Sequence, residues 1–151
     1  MKRLLYLFSA SENLLTDLSP KLHKDGIDSF FGIAYGKNKV FERFNFKKIV
    51  FISDIEKRIS NEDLKLSNNL AAIEDSLGLT ISSCIHADRH LMKKNKIIRT
   101  KLAYKIIDEV ITLIEENKID IVFSANAADL ISYFISVYCE YKNIKFIYPI
   151  T

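Results

Sequence analysis

Glycine and proline are scarce in this chain of 151 residues, which has four glycines and two prolines. A pyrophosphate held in a glycine-rich loop, with the spacing G-x-G-x-x-G or G-x-x-x-x-G-K-[ST], is therefore disfavoured. The two cysteines, Cys84 and Cys139, are too few for a disulfide framework, and both have apolar neighbours in the sequence. We expect buried thiols in a reducing cytoplasm.

An excess of one charge is also lacking. Lys and Arg number 22 and Asp and Glu number 19, so the formal net charge is only +3. This balance does not by itself indicate a nucleic-acid partner or an anionic membrane. The basic and aromatic segment 37–48 fits a strand-like stretch with one apolar face better than a nucleic-acid surface. We therefore predict no nucleic acid among the partners.

Long hydrophobic runs are missing as well, since no stretch approaches the ~18 apolar residues of a membrane-spanning helix. The start, with basic residues 1–3, apolar residues 4–8 and small residues 9–11, imitates a signal peptide. Its apolar run is shorter than the usual core of about 7 to 15 residues. We expect a cytoplasmic protein and leave open a peripheral association with the inner face of the membrane.

Short apolar runs alternate with helical patterns along the chain. Such runs predict strands, and they cover Leu4–Phe8, Phe30–Tyr35, Lys48–Ser53, Ile119–Ser124 and Phe146–Ile150. Strands separated by helices are usually parallel, with right-handed crossovers. The sequence therefore predicts one α/β domain over residues 1–151. We expect a three-layer, Rossmann-like sandwich whose mostly parallel five-stranded sheet has the first strand at its centre.

Three longer helices are predicted. Ser60 with Asp63 reads as a capping box that opens a helix ending at Gly78. A helix from Ile97 to Glu116 has an apolar stripe starting at Ile98, and its predicted wet side holds Lys101, Lys105, Asp108, Glu109 and Thr112. The helix over residues 127–142, opened by Asn126 with Asp129, is apolar around nearly its whole circumference. It contacts a partner domain or subunit, or else its tyrosines lie on the exterior with their hydroxyls in water.

Ligands of open parallel sheets bind beyond the carboxyl ends of the strands, where helix amino termini offer free N–H groups. This placement makes Ser9, Ser11, Ser124 and Asn126 candidate ligand-binding residues. Helix capping is the alternative role for Ser11 and Asn126.

The densest polar cluster runs from His86 to His90. We predict His86, Asp88 and Arg89 as catalytic and His90 as ligand-binding, because histidine moves protons near neutral pH and arginine grips anions with a planar fork. In a plainer alternative, Asp88 and Arg89 form an ion pair that tethers the loop. A metal held by His86, Asp88 and His90 matches no specific ligand spacing, so no metal is predicted. We expect the loop at the carboxyl edge of the sheet because it leads into the long helix before the fourth strand.

Three segments taken together, 87–91, 119–124 and 128–133, resemble the amino-terminal half of bacterial capsule and surface-polysaccharide biosynthesis proteins. These proteins are glycosyltransferase-like (GT-B) transferases with two Rossmann-like domains. Members often carry an acidic residue near the end of the strand that is Ile119–Ser124 here, where this chain has Asn126.

The resemblance implies the acceptor-side domain of a sugar-nucleotide-dependent glycosyltransferase. The nucleotide-sugar is then held by a missing second domain, so this domain needs no cofactor, and the isolated chain is expected to be inactive. The end of the chain directly after the fifth predicted strand agrees with that expectation. His86, Asp88 and Arg89 would position or deprotonate a hydroxyl of the sugar acceptor. The alternative is a non-catalytic α/β module that binds a small ligand, a nucleotide or another protein.

Overall fold

Five parallel strands form a sheet in the order β3-β2-β1-β4-β5. The computed structural model describes residues 1–7, 20–42, 44–59, 65–124 and 129–148. The strands are β1 (Lys2–Leu7), β2 (Ile27–Ala34), β3 (Phe46–Phe51), β4 (Ile121–Ser124) and β5 (Lys145–Ile147). All four neighbouring pairs are parallel, and β1 is hydrogen-bonded to β2 on one side and β4 on the other. The predicted sheet and its central first strand are confirmed.

Helices connect the strands. They are α1 (Lys39–Glu42), α2 (Ile52–Ile59), α3 (Leu70–Leu77), α4 (Ile81–Cys84), α5 (Arg89–Met92), α6 (Lys96–Glu116) and α7 (Leu130–Tyr141). A short 3₁₀ turn, Ile85–Ala87, lies between α4 and α5, and residues 20–24 are also helical. No helix in the described part of the chain has both the length and the apolar character that crossing a bilayer requires.

The two faces of the sheet bury two separate apolar clusters. Side chains alternate along β1, so Leu5 and Leu7 point to one face while Leu4 and Tyr6 point to the other. The larger cluster lies under α2 to α7. The smaller cluster includes Phe41 of α1, with Leu22 packed against it. Helical residues therefore cover both faces, as the predicted three-layer arrangement requires.

Helix α6 has the predicted extent, but two of its side chains do not face the predicted side. Ile98, which the apolar stripe assigned to the core, is 42% exposed, and the first fully buried residue of the helix is Leu102. Asp108 was assigned to the wet side and is in fact only 1% exposed. Its carboxylate accepts hydrogen bonds from the backbone N–H groups of Ser67 and Asn68, at 2.9 to 3.1 Å. The segment before α3 therefore folds over Asp108 and covers it.

The prediction of a helix from residue 60 to residue 77 is wrong in its described first part. Residues 65–69 are not helical, and α3 begins after Asn69, whose Oδ1 accepts from the N–H of Ala72 at 3.2 Å. Ser60 and Asp63 lie outside the described residues. The end is as predicted, because Gly78 adopts a left-handed φ of 63°. Helix α2 was not predicted, and it begins where the third predicted strand was expected to continue to Ser53.

Helix α7 begins after Asp129, not after Asn126, which lies outside the described residues. Most of its apolar side chains, including Phe134 and Tyr138, are buried inside the domain. Tyr133 and Tyr141 are about half exposed, at 47% and 58%. The apolar character of α7 is thus largely used by the core beneath it. Both cysteines are buried free thiols, as predicted.

Candidate active site at the carboxyl edge of the sheet

Polar side chains from four parts of the chain meet near the carboxyl ends of the strands. Tyr35 directly follows β2, Glu56 lies on α2, Asp88 and His90 come from the start of α5, and Asp129 precedes α7. The rings of Tyr35 and His90 are 5.3 Å apart, edge to face. The charges of Asp88, Asp129 and Glu56 all act on the hydroxyl of Tyr35. We call these five residues the rim cluster.

Asp88 is a buried cap, with only 3% of its surface exposed. Its Oδ1 accepts hydrogen bonds from the N–H groups of His90, at 3.0 Å, and Leu91, at 3.1 Å. An aspartate satisfies the free N–H groups of a helix start in this way. The cap fixes the carboxylate at the edge of the sheet and uses only one of its two oxygens.

Asp129 is the matching cap of α7 and is 8% exposed. Its Oδ1 accepts from the N–H of Ser132 at 2.7 Å. Burial raises the pKa of Asp129, the hydrogen bonds from Ser132 lower it, and the charge of Asp88 raises it again. The net shift is upward, so Asp129 holds a proton more tightly than an ordinary aspartate does.

The hydroxyl of Tyr35 is a proton donor in this cluster. Burial raises its pKa above the ordinary value, and the charges of Asp88, Asp129 and Glu56 together with hydrogen bonding to Asp88 raise it further. Tyr35 therefore stays protonated at neutral pH. A protonated hydroxyl beside two carboxylates can donate a hydrogen bond to either a carboxylate or a ligand.

Glu56 forms the outer side of the cluster. Its Oε1 lies 2.7 Å from Nε2 of His90 and 3.0 Å from Nζ of Lys94. Partial burial raises the pKa of Glu56, but the hydrogen bonds and charges of His90 and Lys94 outweigh this, and the net pKa is lowered. Glu56 is therefore ionised at neutral pH and orients the imidazole of His90.

Ser124, a predicted ligand-binding residue, ends β4 and is fully buried. Its Oγ lies 2.7 Å from Oγ of Ser132 in the first turn of α7. This contact joins the strand end to the helix that Asp129 caps. Ser9, Ser11 and Asn126, the other predicted ligand-binding residues of the strand ends, lie outside the described residues.

His86 and Arg89, both predicted to be catalytic, are exposed on either side of the buried Asp88. Within the described ranges, Arg89 makes no ion pair, so the Asp88–Arg89 tether considered from the sequence is wrong. Among the described residues no group of three or more His, Cys, Asp or Glu side chains could hold a metal ion. The structure thus brings Asp88 and His90 into the cluster and leaves His86 and Arg89 at the surface beside it.

Three members of the rim cluster, Tyr35, Glu56 and Asp129, were not predicted as site residues. Tyr35 could have been found, because it is the last residue of a predicted strand. Asp129 lies within a segment that carries the family resemblance, but the helix-capping pattern had already given it a structural role. Glu56 gave no signal, because α2 itself was not predicted.

The fold and the rim cluster define a class, a Rossmann-like α/β domain with buried carboxylates at the carboxyl edge of its sheet. Comparisons of the chain with protein-family models, with curated proteins and with solved structures find no match. The chemistry of the cluster is therefore the basis for a functional proposal.

Proposed function

We propose that this chain is the acceptor-side domain of a sugar-nucleotide-dependent glycosyltransferase of bacterial surface or capsular polysaccharide biosynthesis. The observation that carries the proposal is that the 3₁₀ turn leading to Asp88 contacts α7, the helix that Asp129 caps. The charge of Asp88 accordingly raises the pKa of Asp129, although the two residues are far apart in the sequence. Both aspartates belong to the segments that resemble that family. A resemblance spread along the chain thus converges on one place in space.

The chemistry of the pair suits a general base. In transfer to a hydroxyl, the acceptor oxygen forms a bond to the anomeric carbon while the bond from that carbon to the phosphate oxygen breaks. The nucleoside diphosphate leaves with the bond electrons, and the acceptor proton passes to a protein base. Asp129 suits this role because its raised pKa makes it a stronger base than an ordinary carboxylate. Its Oδ1 is held by Ser132, so Oδ2 is the atom we assign to the proton.

The rest of the cluster supplies groups that bind hydroxyls. Tyr35 offers a donor and the oriented His90 offers a ring nitrogen, both beside the two carboxylates. The exposed Arg89 has a guanidinium that can pair with a phosphate from the donor side. We therefore assign proton transfer to the aspartates and positioning to His86, His90 and Arg89.

The test uses the longest protein that the gene encodes, assayed for sugar transfer from a panel of nucleotide-sugars to hydroxyl acceptors. Asp129→Asn and Asp88→Asn keep the helix caps, since asparagine caps as well as aspartate. Loss of a general base is expected to lower turnover by about 100-fold or more. Asp75→Asn, an exposed aspartate on α3, is the matched control and should leave turnover unchanged.

The isolated chain of 151 residues is expected to show no measurable transfer and only weak binding of nucleotide-sugars. Micromolar binding of a nucleotide-sugar to this chain alone, measured by calorimetry, would contradict the division of labour between domains. Full turnover in Asp129→Asn and Asp88→Asn would contradict the catalytic assignment. Ligand binding without transfer from any donor would favour the non-catalytic module.

A further inference from the structure

A strongly basic stretch covers α5, the turn after it and the start of α6, residues 89–101. It contains no Asp or Glu, and its cations are Arg89, Lys93, Lys94, Lys96, Arg99 and Lys101. The rest of the chain has 16 Lys and Arg against 19 Asp and Glu, so the basic excess of the chain lies entirely in this stretch. We call residues 89–101 the basic corner.

Apolar side chains are exposed within the basic corner. Ile97 is 71% exposed, Ile98 42% and Met92 39%. Nη1 of Arg99 lies 3.7 Å from Sδ of Met92, so α5 and the start of α6 form one surface. Because the first fully buried residue of α6 is Leu102, the helix begins outside the core and presents both isoleucines to water.

The cations of the basic corner do little for the fold. Among the described residues only Lys94 of this set forms an ion pair, with Glu56 at 3.0 Å. The first turn of α6 holds no acidic residue, and cations there face the positive end of the helix dipole. Each such cation is unfavourable for the helix by a few tenths of a kcal/mol. A charge that the fold does not use is available to a partner.

We propose that the basic corner docks onto a bilayer rich in anionic lipids. Met92, Ile97 and Ile98 enter the boundary between headgroups and acyl chains. The cations Lys93, Lys96, Arg99 and Lys101 pair with lipid phosphates. A nucleic acid fits less well, because residues 89–101 contain no Phe, Tyr or Trp on which bases could stack. The docked bilayer would lie beside the rim cluster, since His90 and Lys94 both bind Glu56. This inference does not depend on the proposed transferase activity.

The first test measures co-sedimentation of the intact chain with vesicles of phosphatidylcholine, alone or in equimolar mixture with phosphatidylglycerol. We expect binding to the mixed vesicles only, weakened by salt. Lys93→Glu with Lys96→Glu should lower binding by more than about tenfold, because each lysine near an anionic surface contributes about a fivefold change in partition. Lys47→Glu with Lys48→Glu, the same charge change at exposed positions of β3, is the matched control.

The second test uses fluorescence, because the chain has no tryptophan. Ile97→Trp should shift its emission to the blue when mixed vesicles are added, since the ring enters the interface. Leu66→Trp, at another exposed apolar position, is the control and should not shift. Thermal melting of each variant shows that it is folded.

Three results with vesicles would overturn the proposal. They are equal binding to neutral and mixed vesicles, equal losses in the two double-lysine variants, and no blue shift at Ile97→Trp. Binding of a single-stranded oligonucleotide in the absence of vesicle binding would overturn it in favour of a nucleic-acid surface. None of these outcomes depends on transferase activity, so the failure of one proposal leaves the other standing.

Discussion

Buried carboxylates occupy two regions of this domain in different ways. Asp108, in the middle of α6, accepts three backbone or side-chain donors from Ser67 and Asn68 and lies 3.6 Å from Nζ of Lys105. Asp88 and Asp129, at the carboxyl edge, each cap a helix through Oδ1 and take a further hydrogen bond, from the side chains of Tyr35 and Ser132 respectively. Neither has a nearby cation of the kind Lys105 supplies to Asp108 among the described ion pairs, and the charge of Asp88 acts unfavourably on Asp129. Asp108 is compensated by its surroundings, whereas the edge pair is compensated only in part.

The difference indicates a structural role for Asp108 and agrees with the functional role proposed for Asp88 and Asp129. A buried carboxylate with donors on both oxygens and a nearby cation holds two segments together. A buried carboxylate that faces another negative charge gives up some stability, and such groups concentrate at functional sites. Substitutions at the two regions should therefore change the free energy of unfolding in opposite directions.

The largest expected effect is at Asp108. Asp108→Ala leaves the N–H groups of Ser67 and Asn68 without their acceptor, so we expect a loss of about 3 to 5 kcal/mol in the free energy of unfolding. Chemical denaturation measures it. Glu109→Ala, next to it on α6, removes ion pairs between partly exposed groups and should cost about 1 kcal/mol or less. Equal losses at both positions would contradict the structural role of Asp108.

Asp108 also marks where the sequence was insufficient. Its position on α6 follows the polar side of a helical pattern, and periodicity alone cannot show that another segment covers that side. The same limit applied at Ile98, which continues the apolar stripe beyond the end of the core. Periodicity did predict the extent of α6, because its apolar pattern is long and tertiary contacts reinforce it. The central place of β1 agrees with its continuous apolar run, which is typical of a strand covered on both faces.

The rim cluster was predictable only in part, for a related reason. Asp88 and His90 stood out as a polar cluster in the sequence, and the topology of a parallel sheet brought them to the expected edge. Asp129 and Glu56 reach that edge through the exact starts of α7 and α2. The start of a helix is the least certain part of a sequence-based prediction, because neighbouring residues can each serve as its cap. Asn126 and Asp129 are two such capping residue types before α7.

A smaller effect is expected at Glu56. The lowered pKa of Glu56 means that its ionised form stabilises the fold above the unfolded-state pKa, and this contribution is lost as the pH falls through the lower folded-state pKa. Glu56→Gln should lower the free energy of unfolding by about 0.5 kcal/mol at neutral pH, because the group is partly exposed, and by nothing in acid. Thermal melts from pH 3 to pH 7 measure the difference. A loss that is the same at both ends of the series would contradict the ion-pair origin.

At Asp129 the substitution should change the free energy of unfolding in the opposite direction. Its folded-state pKa is raised above the ordinary 3.8, so the folded state binds the proton more tightly and stability falls as the pH rises through this interval. Asp129→Asn keeps the cap and removes the charge. We expect a gain on the order of 1 kcal/mol or less at neutral pH, and no difference below the unfolded-state pKa. Lower stability of Asp129→Asn at neutral pH would show that the edge carboxylate is compensated after all.

The smallest effect on the free energy of unfolding is expected at Arg89. A substitution there therefore tests function more than stability. Arg89 is exposed and makes no ion pair with the described residues, so Arg89→Ala should change the free energy of unfolding by at most about 0.5 kcal/mol. Under the proposed role, turnover of an active full-length protein should fall much further, because a methyl group cannot replace a guanidinium that pairs with a phosphate. Lys145→Ala, at an exposed position of β5, is the control for a lost surface cation. Unchanged turnover in Arg89→Ala would remove Arg89 from the site and restrict the proposed chemistry to the buried aspartates.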